Sequence, residues 1–213
     1  MTTPRPLCGG VLHYAIYIRF IKISKGGKNM EKKMISVKTV VAIGIGAALV
    51  FVLNHFAAIP SGVPNTNIQP GIAVLSIFAA VFGPLAGFLI GFIGHTLVDI
   101  TAGWGVWWSW IIADAFYGLA VGLLWKFYRI EKGKFGITQC AIFNGVQICA
   151  NLLAWVAIAP YLDILIYQKP SDEIYLQGIT AASVNIVVVL ILGNLLAFGF
   201  SKTRTKAGSL KAE

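Results

Sequence analysis

Apolar positions along this chain fall into blocks of about twenty residues, divided by short breaks rich in glycine, proline or charge, the pattern of helices that cross a bilayer. The first block predicts a helix over Val37–Ala58. An uncharged stretch follows, Ile59-Pro-Ser-Gly-Val-Pro-Asn-Thr-Asn-Ile-Gln-Pro70, whose proline and glycine density predicts an irregular loop. From Gly71 to Ile100 there is again no Lys or Arg, but one helix of that length would measure ~45 Å against a ~30 Å hydrocarbon core. Phe82-Gly83-Pro84 interrupts it, so two short spans are expected, 70–82 and 84–100. Further helices are expected over Trp107–Trp125, Phe135–Ala159 and Leu176–Phe200.

Charge then supports the division at Gly83. With six spans, the basic N-terminal segment, the loop Lys126–Lys134 and the tail carrying Lys202, Arg204, Lys206 and Lys211 fall on one side. The other side receives the uncharged 59–70 loop, the turn after Asp99 and a 161–177 loop in which Lys169 is outnumbered by Asp163, Asp172 and Glu173. That is the positive-inside distribution, and merging 71–100 into one span would destroy it. The expected architecture is an all-α integral membrane bundle of six transmembrane helices with both termini cytoplasmic. Composition agrees: 57% hydrophobic, 12% charged, mean hydropathy +0.78. The net charge of +9 is confined to runs flanking the spans, without the aromatic-interleaved basic patch of a nucleic-acid module, so nucleic acid is not an expected partner.

The chain divides into residues 1–29, a membrane domain over 30–201 and a basic tail over 202–213. The 1–29 segment holds one short apolar run broken by His13, Arg19 and Lys22, too short to span and followed by no small-residue cleavage site. Lys25-Gly26-Gly27 back-translates to a ribosome-binding sequence just upstream of Met30. Translation is therefore expected to start at Met30 or Met34, and 1–29 to be a gene-calling artefact. Peptide mapping of native membranes should yield no tryptic peptide from residues 6–19; finding one overturns this. Cys140 and Cys149 are ~13 Å apart along one predicted helix, too far for a disulfide.

Candidate chemistry concentrates in Gly83–Gly118, which is apolar yet carries His95, Asp99 and Asp114 and four of the six tryptophans. An ionisable group in hydrocarbon costs at least ~2.5–3.5 kcal/mol, so such residues face a cavity, a partner or a substrate. Between Lys38 and Lys126 there is no Lys or Arg to neutralise the two aspartates. His95 and Asp99 share a helix face, and Gly87 and Gly91 precede them on the same i+4 line, so that face is expected to turn into the bundle. Of Trp104, Trp107, Trp108 and Trp110, one or two are expected inward and the rest in an interfacial belt, with Trp104 and Trp108 taken as binding candidates. Asn144, Gln147 and Asn151 make one polar stripe on the fifth helix. Asn144 and Asn194 read as interhelical glue, whereas Gln147, Asn151, Asn185 on the sixth helix and Asn67 in the 59–70 loop join the candidates.

Several activities are excluded by missing motifs. There is no Gly-rich Lys-Ser/Thr phosphate loop, no His-Glu-x-x-His or Cys/His ligand set, and no Gly-x-Ser-x-Gly elbow, so neither ATP hydrolysis, nor zinc chemistry, nor an acyl-transfer enzyme is expected. A polar intramembrane pocket without catalytic machinery is a binding site, with no cofactor.

The 59–67 loop and the run Gly-Pro-Leu-Ala-Gly-Phe-Leu-Ile-Gly-Phe-Ile-Gly-His-x-Leu-x-Asp over 83–99, on a six-span plan, resemble the substrate-specific (S) components of energy-coupling factor (ECF) transporters, closest to an uncharacterised bacterial branch grouped with the riboflavin-type S components. The similarity covers about 34–200. It implies a vitamin- or precursor-binding membrane subunit, partnered by a transmembrane coupling (T) component and two ABC-type ATPases, with substrate held near the outer face under the loop after helix 1. It also implies toppling of the subunit in the membrane, and docking through small residues of helix 1. Ala42-x-x-x-Gly46 and Gly44-x-x-x-Ala48 match that docking pattern here.

Tryptophans beside carboxylates and amides suit a small, flat heteroaromatic with amino groups, such as a pyrimidine of the thiamine-precursor type. The alternative is a stand-alone proton-coupled carrier with His95–Asp99 as relay, which usually shows a three-plus-three internal repeat; none is visible.

Overall fold

The structure, a computed structural model, describes residues 36–103 and 105–204. The expected start at Met30, the 1–29 segment, the last part of the basic tail and Trp104 lie outside the described residues. Helix α1, Val37–Phe56, is followed by strands β1, Ile59–Pro60, and β2, Asn67–Ile68, then by α2, Gly71–Phe82, and α3, Pro84–Ala102. Next come α4, Trp108–Leu123, and the short α5, Trp125–Tyr128. Two long helices complete the chain, each crossed by a π-helical turn. α6, Ile137–Leu152, continues through Leu153–Ile158 into α7, Ala159–Tyr167; α8, Ser171–Val188, continues through Val189–Gly193 into α9, Asn194–Lys202.

Among the described residues, four helical stretches are long and apolar enough to cross a membrane: Val37–Phe56, Pro84–Ala102, Ile137–Tyr167 and Ser171–Lys202. A fifth is the pair α4 and α5, which meet at a 52° bend. α2 is apolar but has only 12 residues, ~18 Å of helix, short of the hydrocarbon thickness. The break at Gly83 is physical. Its φ of +91° suits only glycine without strain, and Pro84 opens α3, where its missing N–H costs nothing.

Two expected loops prove ordered. The 59–70 stretch forms a small hairpin, Ile59 pairing Ile68 and Pro60 pairing Asn67, with the Ser61 hydroxyl donating to the Thr66 carbonyl at 2.6 Å. Its exit is fixed by Asn54 of α1, whose side-chain oxygen accepts the Gly71 N–H at 2.8 Å and satisfies an otherwise orphaned donor of α2. The expected 161–177 loop is mostly helix. α7 runs on to Tyr167, α8 begins at Ser171, and only 168–170 connects them. The sequence predicts a helix end at Ala159, just before Pro160. Instead the preceding turn widens to π over Leu153–Ile158, which accommodates a ring that would clash with the carbonyl four residues back.

α3 and α4 pack backbone to backbone. A Cβ added at Gly87 would strike the Gly118 backbone, one at Gly118 would strike Gly87, and one at Gly91 would lie 2.8 Å from the Asp114 carbonyl carbon. The glycine line is thus the contact surface between these helices. Residues 42, 43, 46, 47, 50 and 54 turn the other flank of α1 inward, Gly46 against Ile90 and Phe78.

Candidate functional site

At the end of the bundle where the hairpin, the α3–α4 connection and 168–170 meet, there is a cavity of about 200 Å³. Asn65–Asn67 and Gln69 line it from the hairpin side, His95, Val98 and Asp99 from α3, and Trp107 and Trp110 from the start of α4. Trp155 of the π turn, Lys169 and a face of α8 with Glu173, Gln177 and Asn185 complete the wall.

His95 answers the question of the two aspartates. Its Nδ1 lies 2.6 Å from Asp114 Oδ2 and its Nε2 3.5 Å from Asp99 Oδ1, all three side chains being buried. One imidazole serves two carboxylates together only when both ring nitrogens carry a hydrogen. Asp99 also accepts the Trp107 backbone N–H at 2.8 Å, which ties the carboxylate to the first turn of α4. Of this trio, His95 and Asp99 line the cavity, and Asp114 stands behind His95, outside the lining.

Asn67 and Asn185, taken from sequence as binding candidates, also line the cavity. Trp108 does not: its side chain is 46% exposed on the outside of the bundle, while the neighbouring Trp107 and Trp110 turn inward. Asn151 and Gln147 are fully buried about one and two turns before Trp155, with Asn151 Nδ2 donating to Gln147 Oε1 at 3.0 Å, and neither reaches the cavity. Deeper still, Asn144 and Asn194 clasp α6 to α9 through reciprocal amide bonds of 2.9 and 3.3 Å. Of the small residues on α1, Ala42 and Gly46 are buried and Gly46 packs inside the bundle, whereas Gly44 and Ala48 face outward and a Cβ on Gly44 would touch nothing.

Sequence reasoning missed Trp155, Gln177, Lys169 and above all Asp163. Placed in a loop by the sequence reading, Asp163 is fully buried in α7 and accepts hydrogen bonds from Trp107, Ser109 and Trp110. The signal was present: Asp163 and Tyr167 are four apart, one helical turn, beyond a proline that need not end the helix.

The profile of the family described as "ECF-type riboflavin transporter, S component" matches residues 34–202. The chain belongs to this family. It is therefore a transport subunit rather than an enzyme, and a multi-pass protein of the bacterial membrane. Among its relatives, a "UPF0397 protein" of Clostridium perfringens is 48% identical over 184 residues, covering 86% of this chain and 100% of that protein. A "UPF0397 protein" of Lacticaseibacillus casei is 44% identical over 183 residues, 86% of this chain and 98% of the relative. One from Staphylococcus aureus is 44% identical over 184 residues, 86% of this chain and 100% of the relative.

Proposed function

We propose that this chain is the substrate-binding membrane subunit of an ATP-driven ECF importer for a vitamin, a vitamin precursor or a similar small molecule. The observation that carries the reading is the cavity. It is large enough for a small ring system, walled by three tryptophans and edged by the carboxylate of Asp99, the imidazole of His95 and the amides of Asn67, Gln177 and Asn185. Aromatic faces hold a flat ligand while the amides and carboxylates fix its polar edge, the composition expected of a small-molecule site. His95, Asp99, Asn67 and Asn185 are the direct contacts in this reading. Asp114 sets the orientation of His95, and Gln147 and Asn151 form the buried floor of the bundle.

In this reading the six apolar segments all cross the membrane, with both termini cytoplasmic. Lys126, Arg129, Lys132, Lys134, Lys202 and Arg204 cluster at the end away from the cavity, which supports an outer position for the cavity by the positive-inside rule. The short α2 then crosses only with help from its neighbours and from local thinning. Residues 30–201 are the working domain.

The partners are a T component and two ABC-type ATPases, docked on the outward face of α1. Gly44 and Ala48 are exposed there and let another helix approach closely. Gly44→Leu and Ala48→Leu should leave the Tm of the isolated subunit unchanged and cut copurification of the ATPases by ~tenfold, equivalent to ~1.4 kcal/mol of lost contact. Pull-down from native membranes with quantification of the ATPases checks this. A carrier that imports with a proton gradient and no ATPase overturns the importer reading.

A further inference from the structure

We propose that Asp163 is the positioning residue for the aromatic half of the cavity: one buried carboxylate holds Trp107 and Trp110 by their indole nitrogens, so that a ligand meets ring surface there and not N–H donors. This rests on the cavity being the ligand site.

Asp163 is wholly buried, yet among the described residues no Lys, Arg or His lies within ion-pair distance of it. A carboxylate in that position costs several kcal/mol unless hydrogen bonds replace its hydration. Three neutral donors do so. Oδ1 accepts from Trp107 Nε1 at 2.6 Å and from the Ser109 hydroxyl, and Oδ2 accepts from Trp110 Nε1 at 2.7 Å. If α7 and α4 needed only glue, an amide would serve at lower cost. Here, however, the two indoles bond different oxygens, so an amide, with its NH2 in place of one of them, would leave one indole facing an N–H donor. The side chain at 163 matches the task of fixing two tryptophans.

The neighbouring contacts have the same effect. Tyr167, one turn along α7, packs its ring 4.6 Å from that of Trp107 and accepts the Trp108 backbone N–H at 2.9 Å. Trp107 is thus held at its backbone by Asp99, at its indole nitrogen by Asp163 and at its face by Tyr167, and the Lys169 ammonium lies 5.0 Å from the ring centroid. Trp155, the third cavity tryptophan, differs: its Nε1 is buried with no hydrogen-bond partner. Of the aromatic wall, Trp107 and Trp110 therefore have both indole N–H groups engaged by Asp163, and a ligand meets their ring surfaces.

The test uses the full purified chain in detergent and reads the tryptophans directly. Asp163→Asn should lower the near-ultraviolet dichroism of the tryptophan region and raise acrylamide quenching by ~twofold, as one indole loses its acceptor and faces an N–H. Ser109→Ala removes a buried donor without freeing either indole, so it should lower the Tm and leave both tryptophan signals unchanged. If Asp163→Asn does not fold, Trp110→Phe removes a single indole bond and should cost only Trp110's own share of the dichroism. Acrylamide quenching of the remaining tryptophans should stay unchanged because Asp163 still holds Trp107; raised quenching overturns the proposal. Flavin-fluorescence titration with riboflavin, where the wild type binds it, should show ~tenfold weaker affinity in Asp163→Asn. Unchanged tryptophan signals in Asp163→Asn, or equal losses in Ser109→Ala, overturn the proposal. These spectra need no ligand or partner, so they stand apart from the importer reading, which fails separately if no ATPase copurifies with the wild type.

Discussion

Replacing His95 with alanine is expected to be among the most damaging single changes in the membrane domain, at about 3–5 kcal/mol of stability. The imidazole stands between Asp99 and Asp114, both buried, and the described ion pairs give neither any other cationic partner. Removing it leaves two carboxylates facing each other in apolar surroundings, the uncompensated arrangement that costs most. Thermal unfolding in detergent reads the loss directly. The double change His95→Ala with Asp114→Asn separates the causes. Neutralising one carboxylate should recover much of the stability, whereas ligand affinity should stay low because the cavity has lost its imidazole. A His95→Ala protein as stable as wild type would mean that the aspartates find other partners, and the electrostatic account of this site would fall with it.

Gly91→Leu should be comparably severe for a different reason. A Cβ at 91 would lie 2.8 Å from the Asp114 carbonyl carbon and 3.1 Å from the Ala115 nitrogen. Those are backbone atoms of α4, which cannot turn aside as a side chain can, so α3 and α4 must separate. Overpacking of a well-packed core costs ~1–3 kcal/mol, and separating two backbones should exceed that range. The separation also carries Asp114 away from His95, so stability and ligand binding should fall together. Gly44→Leu is the matched control, since that glycine touches nothing and the same volume can be added there without effect on Tm. Equal Tm values for Gly91→Leu and wild type would show that the two helices are not in backbone contact.

Much of the architecture was legible in the order of residues. The start of α1 at Val37, the break at Phe82-Gly83-Pro84 and the start of α3 at Pro84 follow from hydropathy, from a φ that glycine tolerates and from a proline favoured at the first position of a helix. The line Gly87, Gly91, His95 also foretold a face turned into the bundle, because residues four apart share a side of any α-helix. The ends of α7 and α8 were not legible. Pro160 reads as a stop, and only the widened π turn before it lets the helix continue to Tyr167. Likewise the 59–70 stretch has loop composition, but the Ser61–Thr66 bond and Asn54 on α1 hold it as a hairpin.

The sequence by itself determined that this is an apolar multi-helix protein, where its charge lies, and that His95, Asp99 and Asp114 must find partners. Those are properties of composition and of spacing within one helix, and they hold however the helices are arranged. Only the tertiary structure decided which partners. That Trp107 and Trp110 turn inward while Trp108 turns out, that Asp114 stands behind His95, and that Asp163 reaches across more than fifty residues to two indoles, all depend on the rotation and tilt of each helix against its neighbours. Those angles are set by how closely α3 and α4 approach through their glycines and by the π turn before Pro160. Both are the outcome of packing between distant segments, which no local pattern records.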